Sequence, residues 1–172
     1  MRLYREHARL SKRCRRIAQR LALPSPFDAE AFIASIARES GRRLELIPAA
    51  AQANLPCGVI ATTDDCVYVL YTADTSPLHQ RQILLHEAAH LICGHEHTAA
   101  KRVLPHLSPG LISRVLGRTG YTEPQEREAE LLASHILRRA SREERAAHQP
   151  GTDGSRLEAA FGSPVPRGPG LG

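Results

Sequence analysis

Tryptophan is absent from this 172-residue chain, and its aromatic complement is three Phe and four Tyr. A core with so few rings has to be assembled from Leu, Ile, Val and Ala, which suits helices packed on a small sheet. No run of about 18 apolar residues occurs, so a membrane-spanning helix is not expected. The basic N-terminus lacks the uninterrupted apolar segment and small-residue cleavage site of a secretory signal, and a soluble, cytoplasmic location is the expectation that follows. The four cysteines, Cys14, Cys57, Cys66 and Cys93, form no CxxC pair and no dense framework. They read as reduced thiols in a reducing compartment.

Acidic residues are nearly missing from one end. Residues 1–20 hold eight Lys or Arg against one Glu, whereas the whole chain carries a net charge of +5, so the remainder is slightly acidic. A basic arm accounts for that charge, and no basic face on the body is needed; contact with nucleic acid is expected only through this arm. Within it, Leu3, His7, Leu10, Cys14, Ile17 and Leu21 recur at spacings of four and three. They form one stripe of an amphipathic helix whose other face is arginine.

The length allows one compact domain with loose ends. The expected organisation is a basic amphipathic helix over 1–24, a main domain over 25–145 and a Gly/Pro-rich disordered tail over 146–172. Pro24 ends the first helix, and Ser25, Pro26 and Asp28 supply a cap, a first-turn proline and a capping-box acid for a second one running to Gly41. Short strands are expected at Leu44–Ile47, Val59–Ala61 and Cys66–Tyr71, and short connections favour antiparallel pairing. Ser76 and Pro77 open a third helix, and Gly94 stands where a left-handed cap would stop it. Residues 98–121 read as a loop around a short helical piece near Leu111–Leu116, and Thr122 and Pro124 open a last helix to about Arg139. The predicted class is α+β: a small, mainly antiparallel sheet of about three strands packed on the third helix and its neighbours.

The chemistry lies in LLHEAAHLICGH. His86 and His90 are four residues apart, so on a helix both imidazoles leave one face and can share one ion. The adjacent Glu87 is placed to act as general base on water at that ion. Two neutral imidazoles and a carboxylate suit Zn²⁺, which brings the pKa of its water to roughly 7 in good sites. The bland alternative is an amphipathic helix with two partly exposed histidines. A third ligand decides between the two, and metzincins would take a histidine six residues after His90. That position is Glu96, with His95 one place early. In EPQEREAELLASHIL, Glu126, Ala129, Glu130 and Ala133 share one helix face, where the alanines permit close approach to the histidine helix. Glu126 is the expected third ligand, and Glu130, one turn on, is expected to accept the outer N–H of a ligating histidine. Glu128 lies about 200° around the helix and is expected in solvent.

HEAAHLICGH followed by EREAELLA resembles the ImmA/IrrE family of metallopeptidases, over roughly residues 25–140. Gly94 and His95 match the Gly-His that often ends the family's first helix, and Glu126, Glu128, Ala129 and Ala133 match its second element. Glu130 stands where the family has Asn or Asp, Leu132 where it has Phe, and no Met-Pro pair follows Leu137. The resemblance implies a zincin-like fold, a zinc-dependent endopeptidase and, as substrate, a separate helix-turn-helix repressor, because no DNA-binding helix pair is recognisable in this chain. The expected site is therefore Zn²⁺ on His86, His90 and Glu126, with Glu87 catalytic. An exposed edge of the Cys66–Tyr71 strand is expected to receive substrate as an added strand. Peptide deformylases share the first motif but take a Cys from a Glu-Gly-Cys segment that is missing here. The rival class is a non-catalytic, zinc-stabilised module binding a repressor or nucleic acid. Glu87 argues against it, since a structural ion needs no general base. The oligomeric state is not legible in the sequence.

Overall fold

The computed structural model describes residues 1–51, 56–95 and 121–148. Its elements are helices α1 (Arg2–Arg20) and α2 (Ala29–Glu39), strands β1 (Arg43–Ala49), β2 (Gly58–Thr62) and β3 (Cys66–Thr72), and helices α3 (Pro77–Cys93) and α4 (Glu123–His148). The fold is α+β. The expected helical piece near Leu111–Leu116 and the expected disordered tail from residue 149 onward lie outside the described residues, while residues 146–148, also expected in that tail, are the end of α4.

The start of α2 differs from expectation. Its cap is Asp28, whose carboxylate accepts from the Ala31 amide at 2.6 Å, while Ser25 and Pro26 stay outside the helix. The acid sits in extended backbone immediately before the first helical residue, which is the position that satisfies an orphan amide. The other end is marked by Gly41 at φ +74°, a left-handed turn that passes the chain into β1.

The sheet order is β1-β3-β2. β2 and β3 form the expected antiparallel hairpin, with Thr63 turning the chain through its bonds to Asp65 and Cys66. β1, however, runs parallel to β3, Arg43 facing Cys66 and Ala49 facing Thr72. The sheet is mixed, and the expectation of mainly antiparallel pairing is corrected. Short connections made adjacent strands the natural partners, but Val67 and Val69 of β3 are both fully buried, and the central place goes to that strand. β3 therefore has no open edge among the described strands, and the expected substrate-binding edge at Cys66–Tyr71 is overturned. Among the described strands, the edge nearest α3 that carries no partner belongs to β2.

One core joins all the helices to one face of the sheet. Phe32 and Ile33 of α2, Leu84, Leu85, Ala88 and Ala89 of α3, and Ala129, Leu132 and Ile136 of α4 close on Val67 and Val69. Alanines on the facing sides of α3 and α4 let the two helices approach closely, which carries any residue on α4's first turns towards α3. α1 belongs to the same core through Cys14 and Ala18. Its C-terminal carbonyls, Ala18 and Leu21, accept from Arg139 Nη1 of α4 at 2.7 Å each. α4 runs on to His148, past the expected end near Arg139. The Arg139–Glu143 pair at 2.7 Å supports its added turns. No described helix is long and apolar enough to cross a membrane.

Candidate metal centre

α3 is fixed at both ends. Ser76 Oγ accepts from the His79 amide, Pro77 occupies the first turn, and Gly94 at φ +68° returns its amide to the carbonyls of His90 and Leu91. Between these stops the helical repeat puts His86 and His90 one above the other, their Nε2 atoms 3.0 Å apart. α4 starts on a capping arrangement in which the Thr122 amide donates to Gln125 Oε1 at 2.9 Å, and the Glu126 amide closes the first turn on Thr122 O. Glu126 is thereby held in the first turns of α4, facing α3. Its Oε2 stands 3.1 Å from His86 Nε2 and 3.7 Å from His90 Nε2.

The three separations of 3.0, 3.1 and 3.7 Å bracket the roughly 3.3 Å edge of a tetrahedron with bonds of about 2.0–2.1 Å, the lengths zinc makes to imidazole nitrogen and carboxylate oxygen. Two imidazoles and one carboxylate are also a donor set for a divalent transition ion. The residues present therefore fit a metal ion, and the arrangement is open on one side: His90 is fully buried, whereas His86 and Glu126 are 31 % and 46 % exposed.

Glu87, the residue after His86, lies against β2. It is buried, its Oε2 has no hydrogen-bond partner, and burial, followed by the charge of Glu126, pushes its carboxyl up to about 8. The Ile60 backbone amide opposes that rise. A buried carboxyl oxygen left without a partner is costly unless a charge or substrate meets it. β2 comes so near that a Cβ added at Gly58 would lie 2.6 Å from Glu87 Oε1 and 2.6 Å from Ile83 Cγ2. Gly58→Ala must therefore displace the Glu87 carboxylate. We expect metal affinity as in the wild type but turnover lowered on the order of 100-fold, the usual cost of an ångström-scale misplacement. Parallel metal titration and peptide-cleavage rates check this, and unchanged turnover would remove Gly58 from the account.

Three neighbours were not assigned from sequence. Tyr121 stacks on His90 with ring centroids 3.5 Å apart and planes at 11°, and burial, then Glu87 and Glu126, raise its pKa, so it stays a phenol. His95, set by the Gly94 turn, brings Nδ1 to 3.1 Å from His90 Nδ1. Glu128, expected in solvent, is buried on its side chain to 13 % exposure, between His95 Nε2 at 3.6 Å and Arg13 Nη1 at 3.0 Å. α1 covers that side of α4, a tertiary contact that helical angles alone do not reveal. Glu130, by contrast, is exposed and lines a cavity of about 260 Å³ with Gln82, His86, Ala133 and Ser134. The outer nitrogen of His90 is met by His95, and the expected bond from Glu130 to a ligating histidine is not formed among the described residues.

An α+β domain with two histidines one turn apart on a core helix and a carboxylate supplied by a second helix is metallopeptidase-like. Over residues 62–165 the sequence matches the family described as the IrrE N-terminal-like domain (Peptidase_M78), and the chain belongs to it, as HEAAHLICGH and EREAELLA implied. No match was found among curated proteins or solved structures.

Proposed function

We propose that the protein is a zinc-dependent endopeptidase of the cytoplasm, in which His86, His90 and Glu126 hold the ion, Glu87 is the general acid and base, and the substrate is a separate helix-turn-helix repressor. The observation that carries the reading is the near-tetrahedral spacing of the three donor atoms beside a buried carboxyl whose Oε2 has no hydrogen-bond partner among the described residues. Bound there, zinc supplies Lewis acidity to a scissile carbonyl and makes water acidic near neutral pH. His86 and His90 present neutral Nε2 lone pairs, and Glu126 adds the single negative charge. Glu87 Oε2 takes the proton of the attacking water and returns it to the leaving amine. Its burial keeps competing water away, and its raised proton affinity suits the first transfer. The edge of β2 that is unpaired among the described strands, next to Glu87, offers backbone groups along which an extended substrate can lie.

The test is cleavage of a purified helix-turn-helix repressor from the same source. The zinc-loaded wild type is expected to produce discrete fragments with new termini by mass spectrometry, and chelation to stop it. A repressor left intact by protein with zinc demonstrably bound would refute the proteolytic reading and favour a zinc-stabilised binding module, with α1's arginines as its contact surface.

A further inference from the structure

On the far side of His90 from the three donors, polar side chains run in line to α1. His90 Nδ1 faces His95 Nδ1 at 3.1 Å, His95 Nε2 faces Glu128 Oε2 at 3.6 Å, and Glu128 Oε1 lies 3.0 Å from Arg13 Nη1. The His95 and Glu128 side chains are 8 % and 13 % exposed, whereas Arg13 is 60 % exposed. Cys14, the residue after Arg13, directs its thiol to the Glu128 carbonyl at 3.8 Å, so α1 is seated on this turn of α4 by a buried residue as well as by a charged one.

The donor and acceptor roles in this line are mutually determined. A carboxylate only accepts, so Glu128, facing His95 Nε2 across an ion-pair distance of 3.6 Å, favours the His95 tautomer with its proton on Nε2. His95 Nδ1 is then a lone pair, which makes His90 Nδ1 the donor of the 3.1 Å contact. A proton on His90 Nδ1 leaves Nε2 as a lone pair, directed at His86 and Glu126. We propose that Arg13, Glu128 and His95 form a positioning chain that sets the tautomer and orientation of His90, so that helix α1, outside the family-matched residues, is a working part of the metal centre. The inference rests on the reading of His86, His90 and Glu126 as ligands. Cys93, His95 and Glu128 also lie close enough together to hold an ion of their own. Arg13 at 3.0 Å argues against a second cation, because its charge already occupies the Glu128 carboxylate.

Partners at the outer nitrogen of a ligating histidine typically contribute 10–100-fold in metal affinity. Zinc affinity by chelator competition is expected to fall on the order of 10–100-fold in His95→Ala and Glu128→Gln, and less in Arg13→Ala. Arg13→Lys restores it, and His95→Gln, which keeps one acceptor and one donor, retains most of it. In the metal-free wild type, nitrogen-15 NMR is expected to find the His90 proton on Nδ1, moving to Nε2 in His95→Ala. A merely structural role would move unfolding temperature but not this proton. Arg13 is surface-exposed, so its two variants stay informative if a buried substitution prevents folding. Undiminished affinity and an unmoved proton in His95→Ala and Glu128→Gln would overturn the positioning chain while leaving the metal centre intact. Two bound equivalents of zinc, one lost in Cys93→Ser, would overturn it in favour of a second metal site. Zinc binding unaffected by His90→Ala would overturn both the ligand assignment and this inference.

Discussion

Glu87→Gln is expected to bind zinc like the wild type and to cleave peptide bonds roughly 10²–10⁴-fold more slowly, the range that a positioned general base contributes. The amide is the same size as the carboxyl it replaces, so packing against Gly58 and Ile60 is kept and only the proton acceptor is lost. The same substitution carries a stability signature. In the metal-free protein the Glu87 carboxyl sits at about 8, against 4.5 for the free side chain. Between those pH values the folded state holds a proton that the unfolded state releases, so wild-type stability falls as pH rises through this window. The loss is absent below about 4.5 and complete above about 8. At ~1.4 kcal/mol per pH unit it reaches roughly 5 kcal/mol, on the order of 10 °C in melting temperature. Metal-free Glu87→Gln is therefore expected to melt well above the wild type at pH 8.5 and close to it at pH 4. Equal melting temperatures at both pH values would contradict the buried, proton-holding carboxyl. A bound cation favours the ionised form and should shrink the difference in the loaded protein.

Removing Glu126 has the second large consequence. Of the three donors it is the only one with a formal charge and the only one not on α3. Glu126→Ala leaves two imidazoles, and its zinc affinity is expected to fall by more than the roughly 100-fold that marks an outer partner. Folding should be little affected, because the side chain is 46 % exposed and its loss opens no core cavity. Isothermal titration with zinc, set beside the melting curve of the metal-free form, separates the two effects. Undiminished affinity would exclude Glu126 as a ligand. His86→Ala and His90→Ala serve as references, and His90→Ala is expected to cost stability too because that ring is fully buried under Tyr121.

Local signals made α3 legible before any coordinates. Ser76 and Pro77 begin it, Gly94 stops it in a left-handed turn, and the spacing of His86 and His90 fixes their common face. Glu126 was within reach of the same reasoning, because the alanine-lined face that it shares with Ala129 and Ala133 has to pack on something close. What sequence could not supply was tertiary partnership. The parallel pairing of β1 with β3 depends on which strand wins the centre of the sheet, a contest between residues far apart in the chain. Glu128 read as solvated because its angle around α4 leads away from α3, yet that is the side on which α1 docks and Arg13 arrives. In the sequence His95 is a histidine one place short of a metzincin ligand and half of the family's Gly-His ending, and neither gives it a partner. Its actual position follows from Gly94, whose positive φ folds the chain back so that the next side chain meets the rear of His90. Gly58 gave no warning either, since the reason for a glycine there is the carboxylate of a helix that comes 29 residues later.

Zinc K-edge X-ray absorption on the loaded wild-type protein tests the central claim most directly. Nitrogen and oxygen scatterers alone at about 2.0–2.1 Å, with the outer-shell pattern of two imidazoles, are the expected result for an ion on His86, His90 and Glu126. A sulfur shell near 2.3 Å would place the ion at Cys93 and contradict the account.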